Sequence, residues 1–125
     1  MNPRAFATWL DAYGRAWETR DPGMAPALFT AAATYQETPF DEPMRGLLAI
    51  VEYWSRVPRV QKDIRFGYEI LAVTERHGIA RWWASYVRIP SGSAVKLDGI
   101  FVIVLDENNL CRELREWWHR QESDA

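Results

Sequence analysis

Apolar positions in the first third of the chain fall at helical spacing. Phe6, Leu10, Tyr13 and Trp17 lie on one face of a segment that begins at Asn2-Pro3, an N-cap residue followed by a proline suited to the first helical turn. A helix is predicted from there to about Arg20. Asp21-Pro22-Gly23 ends it and caps a shorter second helix with Met24, Leu28 and Phe29 buried. Ala33 to Thr38 is rich in strand formers and closes at Pro39, so a strand is predicted there, running into the loop Phe40-Asp41-Glu42-Pro43. A third helix follows Gly46, with Leu47, Ile50, Val51, Trp54 and Val57 on one stripe until Pro58 ends it.

Beyond Pro58 the period changes from helical to two. Ile64, Phe66, Tyr68 and Ile70 alternate with Arg65, Gly67 and Glu69, the pattern of a half-buried strand. His77-Gly78 makes a turn before a strand over Ile79 to Ile89. Pro90-Ser91-Gly92-Ser93 then turns the chain into another over Val95 to Leu105. Asp106 to Asn109 turns it once more into a last strand over Leu110 to His119, leaving Arg120 to Ala125 as a polar tail. This order predicts an α+β fold: a strongly curved, mixed but mainly antiparallel sheet wrapped around three N-terminal helices, a cone-shaped α+β barrel enclosing an apolar pocket.

With 125 residues the chain is long enough for one core, so a single domain is expected over 1-125, ordered from about 3 to 120. A net charge of -2 offers no basic field for phosphate backbones, and nucleic acid is not expected as a partner. The one cysteine, Cys111, excludes an internal disulfide, and no apolar run is long enough for a membrane span. A cytoplasmic protein without membrane association is the expectation. Seven tryptophans are many for so small a core. Indole buries well only where its N–H finds a partner, and such rings suit a cavity wall or a subunit interface as well as a core.

Leu28-Phe29 through Ala33-Thr34, then Glu37, Glu42-Pro43, Arg45-Gly46 and Tyr53-Trp54, resemble the first half of SnoaL-like and ketosteroid-isomerase-like proteins, within the nuclear-transport-factor-2-like superfamily. Leu114-Arg115-Glu116-Trp117-Trp118 after a polar turn is similar to their last strand. The resemblance covers nearly the whole chain through the order and spacing of elements. It implies a cone-shaped fold with an apolar pocket, frequent homodimers, and functions ranging over isomerases, cyclases, dehydratases, epoxide hydrolases and non-catalytic binders. Tyr13 and Glu37 fall, without a gap, on the tyrosine and acid that face each other in ketosteroid isomerases. The further acid of those enzymes falls on Phe101, a departure that removes one of two enolate donors.

The candidate catalytic residues are Glu37, Tyr13 and Glu116. Glu37 shares a strand face with Tyr35. If that face lines a pocket, its carboxylate serves as a general base or acid; if it does not, Glu37 is a solvated partner of Arg45. Tyr13 suits either an oxyanion donor or an ordinary core position. Glu116 alternates with Leu114 and Trp118 and is either a second pocket carboxylate or a surface residue paired with Arg112 or Arg115. A slip of one residue would turn Trp117 and His119 inward instead. Trp17, Tyr35, Trp54, Trp82, Tyr86, Phe101 and Trp118 are the expected ligand-binding wall. Asp98 is expected to be structural. No metal-ligand spacing, phosphate loop or nucleophile elbow occurs, so neither metal nor cofactor is expected. The expected function is that of a small-molecule pocket protein. It is read as a cofactor-independent acid/base enzyme of isomerase, cyclase, dehydratase or epoxide-hydrolase type, with a non-catalytic carrier as the alternative and a homodimer as the assembly.

Overall fold

The computed structural model describes residues 1–124. Helix α1 spans Pro3–Glu18, and the Asn2 side chain accepts hydrogen bonds from the Arg4 and Ala5 amides, satisfying donors that the first turn leaves free. Its inward face carries Phe6, Leu10 and Tyr13, joined by Trp9, whose Nε1 donates to the Leu28 carbonyl at 2.9 Å. The second helical segment is a 3₁₀ helix, Pro22–Ala27, capped by Asp21. Pro26 lacks the amide that an α-helix would bond to the Pro22 carbonyl, whereas Pro22 at the first position suits either helix. Phe29 therefore opens strand β1 (Phe29–Gln36) rather than closing a helix, and the strand begins before Ala33.

A two-residue strand β2 (Met44–Arg45) pairs back on β1 where a plain loop was expected. Helix α2 spans Leu47–Trp54, and a separate four-residue helix α3 (Val57–Val60) follows. Pro58 does not end a helix here. It sits in the first turn of α3, where its missing N–H has no partner to lose. The remaining strands are β3 (Gln61–Val73), β4 (Gly78–Arg88), β5 (Ala94–Leu105) and β6 (Cys111–Ser123). The expected polar tail from Arg120 is strand as far as Ser123, because β5 supplies ladder partners out to Ala94. Ala125 lies outside the described residues.

These strands form one curved, unclosed sheet in the order β2-β1-β6-β5-β4-β3, with β6 parallel to β1 and all other pairs antiparallel. The helices fill its concave side, in the cone-shaped α+β arrangement. Phe6, Leu10, Phe29, Ile50, Phe101, Ile103 and Leu114 make the fully buried centre. At the outer edge, β3 shifts register twice, between Lys62 and Arg65 and between Ile70 and Ala72. Asp63 there takes a left-handed backbone with φ 54°. On the convex face Arg81 forms an ion pair with Asp98, which confirms Asp98 as a surface partner. Among the described residues no helix is long and apolar enough to cross a membrane.

Gly99 lies opposite Trp82 on β4 and Trp118 on β6, and a Cβ there would stand 2.5 Å from the Trp117 carbonyl oxygen and 2.8 Å from the Trp118 Cβ. The obstruction is backbone, which cannot rotate away. Gly99→Ala should lower unfolding stability by about 1–3 kcal/mol, read from the urea midpoint.

Candidate functional site

Strict alternation on two strands builds the wall of a cavity of about 230 Å³. On β4 the inward residues are Trp82, Ala84, Tyr86 and then Arg88; on β6 they are Leu114, Glu116, Trp118 and then Arg120. The register of β6 is thereby fixed. Glu116 and Trp118 face the cavity, while Trp117 is exposed and His119 points outward. Helix α1 closes the other side with Tyr13 and Trp17 and with Arg20 just past its end, β1 and the residue after it contribute Tyr35 and Glu37, and α2 contributes Tyr53 and Trp54.

The three candidate catalytic residues all line this one cavity. They do not share one environment. Glu116 is 6% exposed, whereas Glu37, just beyond the end of β1, is half-buried. Burial, followed by the negative charge of Glu37, pushes the Glu116 carboxyl well above the usual carboxylate range; the Tyr35 hydroxyl beside it pulls only partly the other way. The low-dielectric position expected for Glu37 is thus held by Glu116. The Tyr13 and Tyr35 hydroxyls are 2.9 Å apart and hydrogen-bonded to each other. Desolvation raises both phenols far above their ordinary value, with the Glu116 charge adding to it, so both remain protonated donors. Tyr53 is likewise raised, by burial first and then by the Glu37 carboxylate it faces. Glu37 is anchored through its main chain: its carbonyl accepts from the Trp118 Nε1 at 2.9 Å, tying the end of β1 to β6.

Of the expected ligand-binding wall, Trp17, Tyr35, Trp54, Trp82, Tyr86 and Trp118 line the cavity. Phe101 does not. Its ring stacks on Trp82 at a centroid distance of 5.2 Å and meets Tyr13 edge-on at 5.3 Å, which places it in the packed layer behind the wall. Sequence reasoning passed over Tyr53, Gln61, Arg20, Arg88 and Arg120. Arg88 and Arg120 were detectable, since each extends by two residues a face already identified, Trp82 to Tyr86 and Glu116 to Trp118. Gln61 accepts from the Trp17 Nε1 at 2.8 Å, a long-range contact with no local pattern. No group of three or more His, Cys, Asp or Glu able to hold a metal occurs among the described residues. Cys111, the ladder partner of Phe29 at the start of β6, is buried, and its thiol is pushed up by desolvation, far from the form that attacks or ligates.

A curved, unclosed sheet over N-terminal helices defines the ketosteroid-isomerase-like fold. The chain belongs to the SnoaL-like domain family, whose model matches residues 10–113. No curated protein matches it in sequence. Among solved structures it is similar to a Δ5-3-ketosteroid isomerase from Mycobacterium sp., at 15% identity and a TM-score of 0.78, over 95% of this chain and 98% of that one. It is also similar to SalBIII, an epoxide hydrolase/cyclase-like enzyme in pyran ring formation of the polyether salinomycin, at 18% identity and a TM-score of 0.76, over 93% and 88%. A computationally designed 17-OHP binder aligns at 13% identity with a TM-score of 0.77, over 95% and 97%. Identities this low speak for the fold alone.

A buried acid that keeps its proton makes stability pH-dependent. Above the unfolded value of 4.5 the unfolded chain releases the Glu116 proton while the folded chain retains it, so stability should fall as pH rises from there toward the raised folded value. The slope approaches about 1.4 kcal/mol per pH unit for one such group. In urea titrations from pH 4.5 upward, Glu116→Gln should lose this decline and overtake the parent protein near neutrality; parallel curves would place the ionised form in the fold.

Proposed function

We propose that this chain is a cofactor-independent acid/base enzyme acting on a small, largely apolar molecule. The observation that carries the reading is the pairing of a buried carboxyl, Glu116, with a second carboxyl, Glu37, across one aromatic cavity. Two carboxyl groups in unlike environments divide the labour of proton transfer. Glu116, kept protonated by desolvation, donates to the oxygen of a bound carbonyl or epoxide. Glu37 takes the proton from the reacting carbon or from an attacking water. The Tyr13–Tyr35 hydroxyl pair lies beside Glu116 and supplies a further donor as charge develops on that oxygen. Isomerisation, cyclisation, dehydration and epoxide opening all draw on this arrangement, and the isomerase and the epoxide hydrolase/cyclase-like enzyme among the similar structures support that range.

Two observations favour binding without turnover. The resemblance puts Phe101 where ketosteroid isomerases carry an acid, and the Tyr13 hydroxyl already has a partner in Tyr35. The readings separate by incubating the protein with β,γ-unsaturated cyclic ketones and small apolar epoxides in D₂O and following each by NMR. Turnover is expected, reduced at least about 100-fold in Glu37→Gln with binding retained, as loss of a general base requires. Full activity in Glu37→Gln would overturn the assignment, and compounds bound but recovered unchanged would establish the carrier.

The same reading includes a homodimer formed through the convex face of the sheet. Trp83 and Trp117 are 38% and 43% exposed there, and an apolar patch of this kind is covered in a stable assembly. Light scattering at micromolar concentration should give twice the chain mass, falling to the monomer in a Trp83→Glu/Trp117→Glu double variant; a monomeric parent protein would remove the argument.

A further inference from the structure

The inward faces of β4 and β6 change character along their length. Each is apolar or uncharged at the depth of the cavity and becomes cationic at its rim, through Arg88 after Tyr86 and Arg120 after Trp118. A third guanidinium reaches the same rim from α1. Arg20 takes a left-handed backbone, φ 55°, just past the C-cap of the helix, a position where glycine is the usual residue. Its Nη1 donates to the Pro58 and Gln61 carbonyls at 3.4 and 3.2 Å. Gln61 is the ladder partner of Arg88, so Arg20 and Arg88 stand side by side.

Two carboxylates, Asp21 and Glu122, stand near these three guanidiniums and offset them in part. Asp21 accepts from the Gly23 amide as a helix cap, and Glu122 is held by the Arg88 Nε and the Ser93 hydroxyl, both at 2.9 Å. Arg120 approaches Glu122 only to 4.0 Å and is half exposed. Arg20 forms no ion pair among the described residues. Arg20, engaged through Nη1 alone, and the half-exposed Arg120 thus present planar N–H edges at the mouth of a cavity whose interior is aromatic, and such edges match the oxygens of a carboxylate or phosphate.

The geometry points to an amphipathic anion as the ligand: an apolar body in the aromatic cavity, with a carboxylate or phosphate held at the rim by Arg20 and Arg120. This rests on the pocket reading above and narrows it. The acidic end stays in the mouth while the opposite end reaches Glu116 and the tyrosine pair. Neutral apolar molecules of the same shape are the weaker ligands.

Calorimetric titration with naphthaleneacetate, naphthaleneacetamide and naphthylmethyl phosphate tests it, because the three share an apolar body and differ at one end. One of the two anions should bind about tenfold or more tighter than the amide at low salt, and which one does distinguishes a carboxylate from a phosphate monoester. That ratio should shrink toward unity in Arg120→Gln and in Arg20→Gln/Arg120→Gln. It should also shrink as salt rises from about 20 mM to about 500 mM, as expected of partly exposed charges. Arg120 is on the surface, so its variant retains the fold, checked by an unchanged urea midpoint. Equal binding of anions and amide, or a ratio unmoved by Arg120→Gln, would overturn the rim assignment and leave the pocket reading standing. No binding of any of the three would overturn both.

Discussion

Taking a carboxyl group out of water is costly unless it keeps its proton or finds a cation, and the centre of this molecule is organised around one that has no cation. Glu116 projects from β6, the strand that joins the parallel pairing with β1 to the antiparallel remainder of the sheet. It therefore cannot swing out to solvent without undoing the ladder on both sides. The surrounding groups are those compatible with a neutral acid: the hydroxyls of Tyr13 and Tyr35, themselves held protonated by burial, and aromatic rings that exclude water. The Trp118 contact to the Glu37 main chain then fixes the second carboxyl relative to the first.

The aromatic content follows from the same constraint. Tyr13 touches Trp9, Trp17, Trp54, Phe66 and Phe101, so its ring is held by other rings while its hydroxyl bonds that of Tyr35. Rigid packing of this kind holds a polar group in place without adding charge to the site. Polarity instead returns at the rim, where water is available to the arginines and their partners. The gradient from Glu116 to Arg120 spans only five residues of one strand.

Period-two alternation and capping residues were legible without coordinates. Asn2, Asp21, the turns before Gly78 and at Ser91–Ser93, and the inward face of β4 stand where local chemistry puts them. The misplaced elements are those where local chemistry competes. Pro26 keeps the second helix 3₁₀, and Pro58 reads as a terminator although it begins a turn. The end of β6 looks like a charged tail because half of its inward face is arginine and glutamate, and only the partner strand makes it regular. For the site, the identity of the acids was readable but their ranking by depth was not. Depth depends on how far the sheet curls, a tertiary quantity that puts Glu116 under the rings and leaves Glu37 nearer the opening.

Strand β3 bears on how the molecule behaves in a crowded solution. Thirteen residues of unpaired edge would ordinarily invite another chain to add a strand and begin a fibril. Two register shifts, a left-handed Asp63 and the charges of Lys62, Asp63, Arg65 and Glu69 break that edge into short lengths that no straight strand can follow. The sheet is thereby free to stay open and keep its cavity without the hazard of a long, straight edge.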